Sequence, residues 1–339
     1  MSHPDLTGAQ SFAYDGYFVL EHFLGYPRFE RLLGARRRRL YERIGRTLAD
    51  TGRGQTLEVP SLPADAPPSA LGRERGRGIV PKVFRGAAAE WACTKTWNLD
   101  FLAEQHGHHE VILNDNVGLV DRGAGQDFET LTLRDYIRAV RNGSRKYLKF
   151  SRFVDEESGL KEDLGLAWLR RFRLPASFRE ETYTFIGGAE TVTPVHCGFS
   201  CNLFVQVHGR KKWIIYAPAE RAFLDLRTTR TFYFHSDCDP HDLDDPKFPL
   251  LKHARTYEIT LEPGDVLWVP PFTWHQVENP TESIGIAYRY NNIPAALRSS
   301  SMLTALFFMA TRPNIFLHFL VTMWKRQAYI FIRKQGDLA

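Results

Sequence analysis

From about Thr182 the chain breaks into short β-rich runs: TYTFIG, TVTPVH, CNLFVQVH, KWIIYA, TYEITL, VLWVP and SIGIAYRY. Gly and Pro stand between them, and no run is long enough for a helix, so the stretch reads as an antiparallel sandwich or barrel. The composition leaves room for such a core. Of 339 residues, 43% are hydrophobic and 24% charged, which excludes disorder, a collagen-like fibre and a disulfide scaffold. Cysteines 93, 197, 201 and 238 form no CxxC pair, so no zinc ribbon or thioredoxin motif is present. Few cysteines and a polar start, MSHPDLTGAQ, lead to the expectation of a reducing, cytoplasmic setting.

The regions flanking the β-rich part differ from it. Ser11 to Phe23 reads as a short helix running into a strand-like YFVL. Pro27 then opens a helical pattern in which Phe29, Leu32, Leu33, Leu40, Ile44 and Leu48 make one apolar face. Arg37, Arg38 and Arg39 fall largely off that face, as a solvated surface or a docking patch for an acidic partner. Residues 51–81, rich in Gly, Pro, Ala and Arg, read as a long mobile loop within an N-terminal region spanning 1–139. They contain no phosphate-binding glycine motif. Residues 298–339 read as two C-terminal helices, broken at Arg312-Pro313. The apolar runs on either side are too short to span a bilayer, and a homodimer surface is one use for them. The net charge of +5 is uneven. Residues 28–53 hold nine Arg against three acids, and residues 298–339 six basic residues against one acid.

The chemistry concentrates in TVTPVHCGFSCNLFVQVHGRKKWIIYAP, residues 191–218, and EPGDVLWVPPFTWHQVENP, residues 262–280. His196 ends one strand and His275 begins another, and a barrel mouth can bring two such distant residues together. Lys211 follows in a strand pattern, where a cation suits an anionic, oxygen-rich cosubstrate. Gly264-Asp265 turns the chain into VLWVPP, and Pro270-Pro271 stiffens the approach to His275.

The order TPxH…N…GRKxW…P…PGDxLxxPxxWxH resembles the JmjC and cupin-like iron(II)/2-oxoglutarate oxygenases over residues 140–297. The resemblance implies a mainly β fold, a double-stranded β-helix (cupin or jelly-roll) core with a helical N-terminal region and C-terminal helices. It implies iron(II), 2-oxoglutarate and O2 as cofactors. By position, His196 and His275 match the iron ligands, and Lys211 matches the lysine that pairs with the cosubstrate's far carboxylate. Thr193, Asn202 and Tyr147 match polar residues around the cosubstrate. Arg289, if it points inward, would hold an anionic group of cosubstrate or substrate.

One departure is large. The family's HxD motif, whose Asp completes a two-His-one-carboxylate triad, here reads His196-Cys197-Gly198. Three readings stand. Chloride fills the position of the missing carboxylate at Gly198, and the enzyme is a radical halogenase of an unactivated C–H bond. Or water or another protein ligand fills it, from Cys197, Cys201, Asp237, Asp239 or Asp242, and the enzyme is a hydroxylase. Or the domain only binds. In an extended strand Cys197 faces away from His196. A zinc site from His196, Cys197, Cys201 and Cys238 is a formal alternative. His106, His108 and His109 read as loop histidines, and so do His235 and His241, with a place at the substrate entrance as the sharper alternative for the last two. Trp268 and Trp274 read as packing. The expected substrate is a small molecule, free or tethered to a carrier protein. No nucleic-acid motif accompanies the basic ends.

Overall fold

The computed structural model describes residues 5–310 except 50, 52–53, 73–78, 115–127, 158 and 229–233. Eight antiparallel strands form the centre: β1 (Phe178–Gly187), β2 (Val192–Cys197), β3 (Cys201–His208), β4 (Lys211–Tyr216), β5 (Thr256–Leu261), β6 (Val266–Val269), β7 (Trp274–Glu278) and β8 (Ser283–Asn291). One sheet runs β6-β3-β8-β1 and the other β5-β4-β7-β2, so consecutive strands often change sheet. This is the jelly-roll expected from the sequence. Short strands extend each sheet to seven. Tyr147–Ser151 joins the free edge of β1, and Phe234–His235 joins that of β2.

Alternation along the strands divides the side chains into three apolar clusters. Phe185, Phe204, Trp213, Ile215, Leu267, Val277 and Ala287 fill the space between the two sheets. Leu203, Val205, Tyr288 and Tyr290 face outward from the first sheet, onto the helix Leu133–Arg141 and neighbouring segments. Val195, Cys197, Ile214, Tyr216 and Trp274 face outward from the second sheet, where two N-terminal helices cover them. Trp268 and Trp274 are both buried in these outer layers.

Gly264 shows why the turn before β6 needs glycine. Its φ is +92°, and a Cβ there would sit 2.9 Å from the Ala89 backbone. Asp265 then holds the turn, accepting from the amides of Glu262 and Gly86 at 3.0 Å each.

Several expectations for the flanks need correction. The YFVL run is not strand-like. One helix, α1 (Gly8–Leu24), runs through it, started by a Thr7–Gln10 capping box. Tyr14 and Phe18, four residues apart, pack on the second sheet and fix the helical choice. The helix α2 (Tyr26–Leu48) follows with Pro27 in its first turn. Its apolar face is rotated from the one read in the sequence: Leu32 is 63% exposed while Arg37 is buried. Arg37 donates to Glu21 (2.6 Å) and Glu30 (3.1 Å), and Asp225 lies 3.6 Å away. Glu30 sits on α2 itself, while Glu21 and Asp225 come from elements that the local pattern does not mention.

Within 51–81, the described residues include Thr56–Glu58, parallel to β5, and Ser61–Leu62, which pairs with Lys82–Phe84. The segment is therefore partly sheet rather than all loop. Of the expected C-terminal helices, Ile293–Ser299 and Ser301–Ala310 are present. Residues 311–339, with Arg312-Pro313, lie outside the described residues. No helix among the described residues is long and apolar enough to cross a membrane.

Candidate active site

His196 on β2 and His275 on β7 are direct cross-strand partners. Their ring centroids are 4.3 Å apart. Each Nδ1 lies close to a backbone carbonyl, 2.8 Å from Pro194 O and 2.9 Å from Thr273 O. A carbonyl oxygen can only accept, so each Nδ1 carries the proton and each Nε2 keeps a lone pair. Burial pushes both histidines down, His275 to about 4, and the positive charges of Arg289 and Lys149 add to the shift at His196. Both rings are therefore neutral at pH 7. Neutral imidazoles with Nδ1 tied to carbonyls are oriented as metal-ligating histidines are. Trp213 lies against His275 with centroids 5.1 Å apart.

Gly198 is two residues from His196, and a Cβ built on it meets nothing within 4 Å. A side chain at this position would start into open space. None of the protein candidates for a third ligand reaches it. Cys197 is buried in the outer cluster beneath the N-terminal helices, and Cys201 in the outer cluster of the other sheet. Burial holds both thiols well up, in the protonated form. Cys238 is buried in the same outer cluster as Cys197, so the zinc alternative fails on geometry. Asp237 pairs with Arg227 at 3.2 Å, and the side chains of Asp239 and Asp242 accept from loop amides. Among the described residues no group of three His, Cys, Asp or Glu could hold a metal ion. The residues thus fit a metal held by two histidines with its remaining positions open to exogenous ligands.

The expected cosubstrate residues line the space between the sheets. Lys211, fully buried, donates to the Tyr147 hydroxyl (2.9 Å) and to Asn279 Oδ1 (2.5 Å). Burial lowers its amine to about 7. Ile215 is the cross-strand partner of His275, and Lys211 lies four residues back on the same strand, about 13 Å away along it. A lysine side chain and a five-carbon dicarboxylate together bridge that distance.

Thr193 reaches the interior through an irregularity. Three residues separate Thr193 from His196, which in a regular strand would send them to opposite faces. The register shifts between His275 and Val277, so that Thr193 pairs with the inward Val277 while His196 still pairs with His275. Asn202 shares the inward face of β3 with Phe204, and among the described residues its buried Oδ1 has no hydrogen-bond partner, an acceptor left for a bound group. Arg289 lies on the inward face of β8, two residues from Ala287, and its guanidinium sits 4.9 Å from the Phe150 ring centre. Tyr290 faces outward.

The histidines open into a cavity of about 330 Å³, whose wall includes Phe150, Tyr183, Phe199, Asn202, Arg289 and Phe307. Two features of this region had no clear sequence signal. Lys149, on the strand after Tyr147, has its amine 5.3 Å from the Tyr147 ring centre and lowered to about 8 by burial. His235 is not an exposed loop residue. It is buried on Phe234–His235 as the cross-strand partner of His196, so His275, His196 and His235 stand in a row across three strands. His106 and His109 are also committed, each with Nδ1 at a Glu157 carboxylate oxygen (3.2 and 3.0 Å). His241 remains half exposed, beside Glu278 at 2.6 Å.

A family model described as a cupin-like domain matches residues 71–296. The chain belongs to the JmjC-type cupin-like family. It is similar to human tRNA wybutosine-synthesizing protein 5, 26% identical over 60% of this chain and 69% of that protein. It is also similar to human HSPB1-associated protein 1, 32% identical over 59% of this chain and 45% of that protein. A third relative is lysine-specific demethylase 8 of Xenopus tropicalis, 26% identical over 61% of this chain and 47% of that protein. The chain spans less than half the length of the last two. In this cupin-like chain the barrel is intact and a glycine stands two residues after His196.

Proposed function

We propose that the protein is an iron(II)/2-oxoglutarate-dependent oxygenase whose third protein ligand is replaced by a small anion from solution. With chloride in that place it acts as a halogenase of an unactivated C–H bond. When bound, iron, 2-oxoglutarate and O2 supply the oxidant that removes a hydrogen atom from the substrate. The residues divide the remaining work. His196 and His275 hold the metal through Nε2. Lys211, with Tyr147 beside it, meets the far carboxylate of 2-oxoglutarate, and Thr193 and Asn202 lie along it. The aromatic wall of the cavity excludes water and takes a small substrate, free or presented on a carrier.

The observation that carries this reading is the open space at Gly198, set beside an oriented histidine pair and an intact cosubstrate lysine. The charges nearby point the same way: Arg289 and Lys149 both act on His196, and an anion is the ligand they favour. Hydroxylation with water in the same place is the second reading. One relative is named a lysine-specific demethylase, and a name that carries no halide chemistry favours this second reading.

The test begins with anaerobic protein, Fe(II) and 2-oxoglutarate. A visible charge-transfer band appears if the cosubstrate chelates the metal, and it shifts on adding chloride if halide joins it. No band sinks the oxygenase reading. A band indifferent to chloride, together with unhalogenated product by mass in chloride and bromide buffers, leaves the hydroxylase.

A further inference from the structure

We propose that the outer face of the α1–α2 hairpin is a docking surface for an anionic lipid bilayer. The two helices bury one face each in the same cluster over the second sheet, α1 through Tyr14 and Phe18, α2 through Leu40, Tyr41, Ile44 and Leu48. Their opposite faces therefore look outward together.

On α1 that outward face is apolar throughout. At about 100° per residue, Ala9, Phe12, Gly16, Leu20 and Phe23 fall on one stripe directly opposite Tyr14 and Phe18. Phe12 is 81% exposed, Phe23 56% and Leu20 44%. No charged residue interrupts the stripe. On α2 the outward face is basic. Arg28, Arg31, Arg36, Arg39, Arg43 and Arg46 are exposed around Leu32, with Glu42 the one exposed acid among them. Among the described residues none of these six makes an ion pair, whereas Arg37 and Arg38 are held by Glu30.

A row of large apolar side chains beside a band of guanidinium groups is the pattern of a helix lying in a membrane interface. The rings enter the acyl boundary and the arginines meet anionic headgroups, each contributing about 1 kcal/mol near such a surface. Other occupants explain only half of the pattern. A nucleic acid would use the arginines and leave the Phe12–Leu20 stripe in water. A second copy would cover the stripe while setting two arginine bands against each other.

The experiment is co-sedimentation of the full chain with phosphatidylcholine vesicles, with and without phosphatidylserine. Binding should require phosphatidylserine and weaken as salt rises. The pair Phe12→Glu and Leu20→Glu should weaken it at least about tenfold. The triple Arg36→Glu, Arg39→Glu and Arg43→Glu should weaken it about a hundredfold or more. All five positions are exposed, so thermal melting should not change. Absence of phosphatidylserine-dependent binding overturns the proposal. So does binding that both variants leave intact, which would place the contact elsewhere, in residues 311–339 for example. Retention on duplex DNA without vesicle binding assigns the surface to nucleic acid. Loss of a dimer in the Phe12/Leu20 variant without vesicle binding assigns it to a second copy.

Discussion

Replacing Lys211 by Met should make the cosubstrate-free protein more stable at neutral pH and less stable at high pH. Lys211 is fully buried, and its amine is lowered from an ordinary 10.5 to about 7 by burial. Between those two values the unfolded chain binds a proton that the folded protein releases, so stability rises with pH across that window and is fully recovered only above 10.5. At pH 7 the penalty is about 4 kcal/mol, and at pH 9 about half of that. Methionine has a similar length and no charge, so Lys211→Met removes the penalty. It also removes the hydrogen bonds to Tyr147 and Asn279. Asn279 Oδ1 still receives Ser283 Oγ at 3.0 Å, which leaves the lost bonds worth about 1 kcal/mol. The net gain is then about 3 kcal/mol at pH 7, becoming a small loss above pH 10.5. Urea unfolding of wild type and variant at pH 7 and pH 9 measures the difference, and other titrating groups cancel in it. Saturating 2-oxoglutarate should reverse the order at pH 7. A ligand at a thousand times its Kd adds about 4.1 kcal/mol to the protein that binds it, more than the variant's gain, and only wild type has the cation. A wild-type-to-variant difference that is the same at both pH values would refute the claim that burial, uncompensated by a counter-charge, governs this lysine.

Gly198→Asp should fold normally, because the added Cβ meets nothing within 4 Å. It should tighten Fe(II) by more than about tenfold, a scale on which even outer partners of metal ligands act, and should abolish any chloride effect on the charge-transfer band; unchanged chloride sensitivity would show that the halide sits elsewhere. Arg37→Met should cost about 3–5 kcal/mol in urea unfolding, since it leaves the buried Glu21 carboxylate without its cation. Arg38→Ala, which removes a 62%-exposed guanidinium from Glu30, should cost less than about 1 kcal/mol, and equal losses for the two variants would contradict the burial argument.

The barrel was legible in the sequence, and the candidate site was matched to it by resemblance to a family pattern. The barrel strands show an alternation that is fixed locally, and the spacing from His196 to Lys211 is the length of β3 and the two short turns that flank it. What was not legible depended on partners far away in the chain. Arg37 looked like surface because Glu21 and Asp225 come from another helix and from the connection after β4. His235 looked like loop because its two-residue strand is defined only by pairing, with β2 on one side and Arg227–Thr228 on the other. Thr193 and His196 could be matched to the family's pattern, but strict alternation would have separated them. Only the register shift opposite β7 puts both inside. The YFVL run carries β-branched and aromatic residues, yet the capping box at Thr7 and the packing of Phe18 decide for helix.

The missing carboxylate changes more than the ligand count. In an HxD site the Asp brings a negative charge that partly offsets the cations around the metal. Here the charges of Arg289 and Lys149 act on His196, and among the described residues no third acidic or thiol ligand completes the histidine pair. Like charges oppose a divalent cation, and more strongly in a buried site than in water. On the proposed reading the metal would then depend on anions that arrive from solution, first the 2-oxoglutarate dianion and then the ligand beside Gly198. Binding free energies are reciprocal, so an anion that tightens the metal is itself tightened by the metal. On the proposed reading, a two-histidine site whose cavity sets Arg179 and Arg289 against Glu181 would assemble only when cosubstrate and anion are both present, and Lys211, neutral above about pH 7 until a carboxylate reaches it, would make the first of those two steps proton-linked as well.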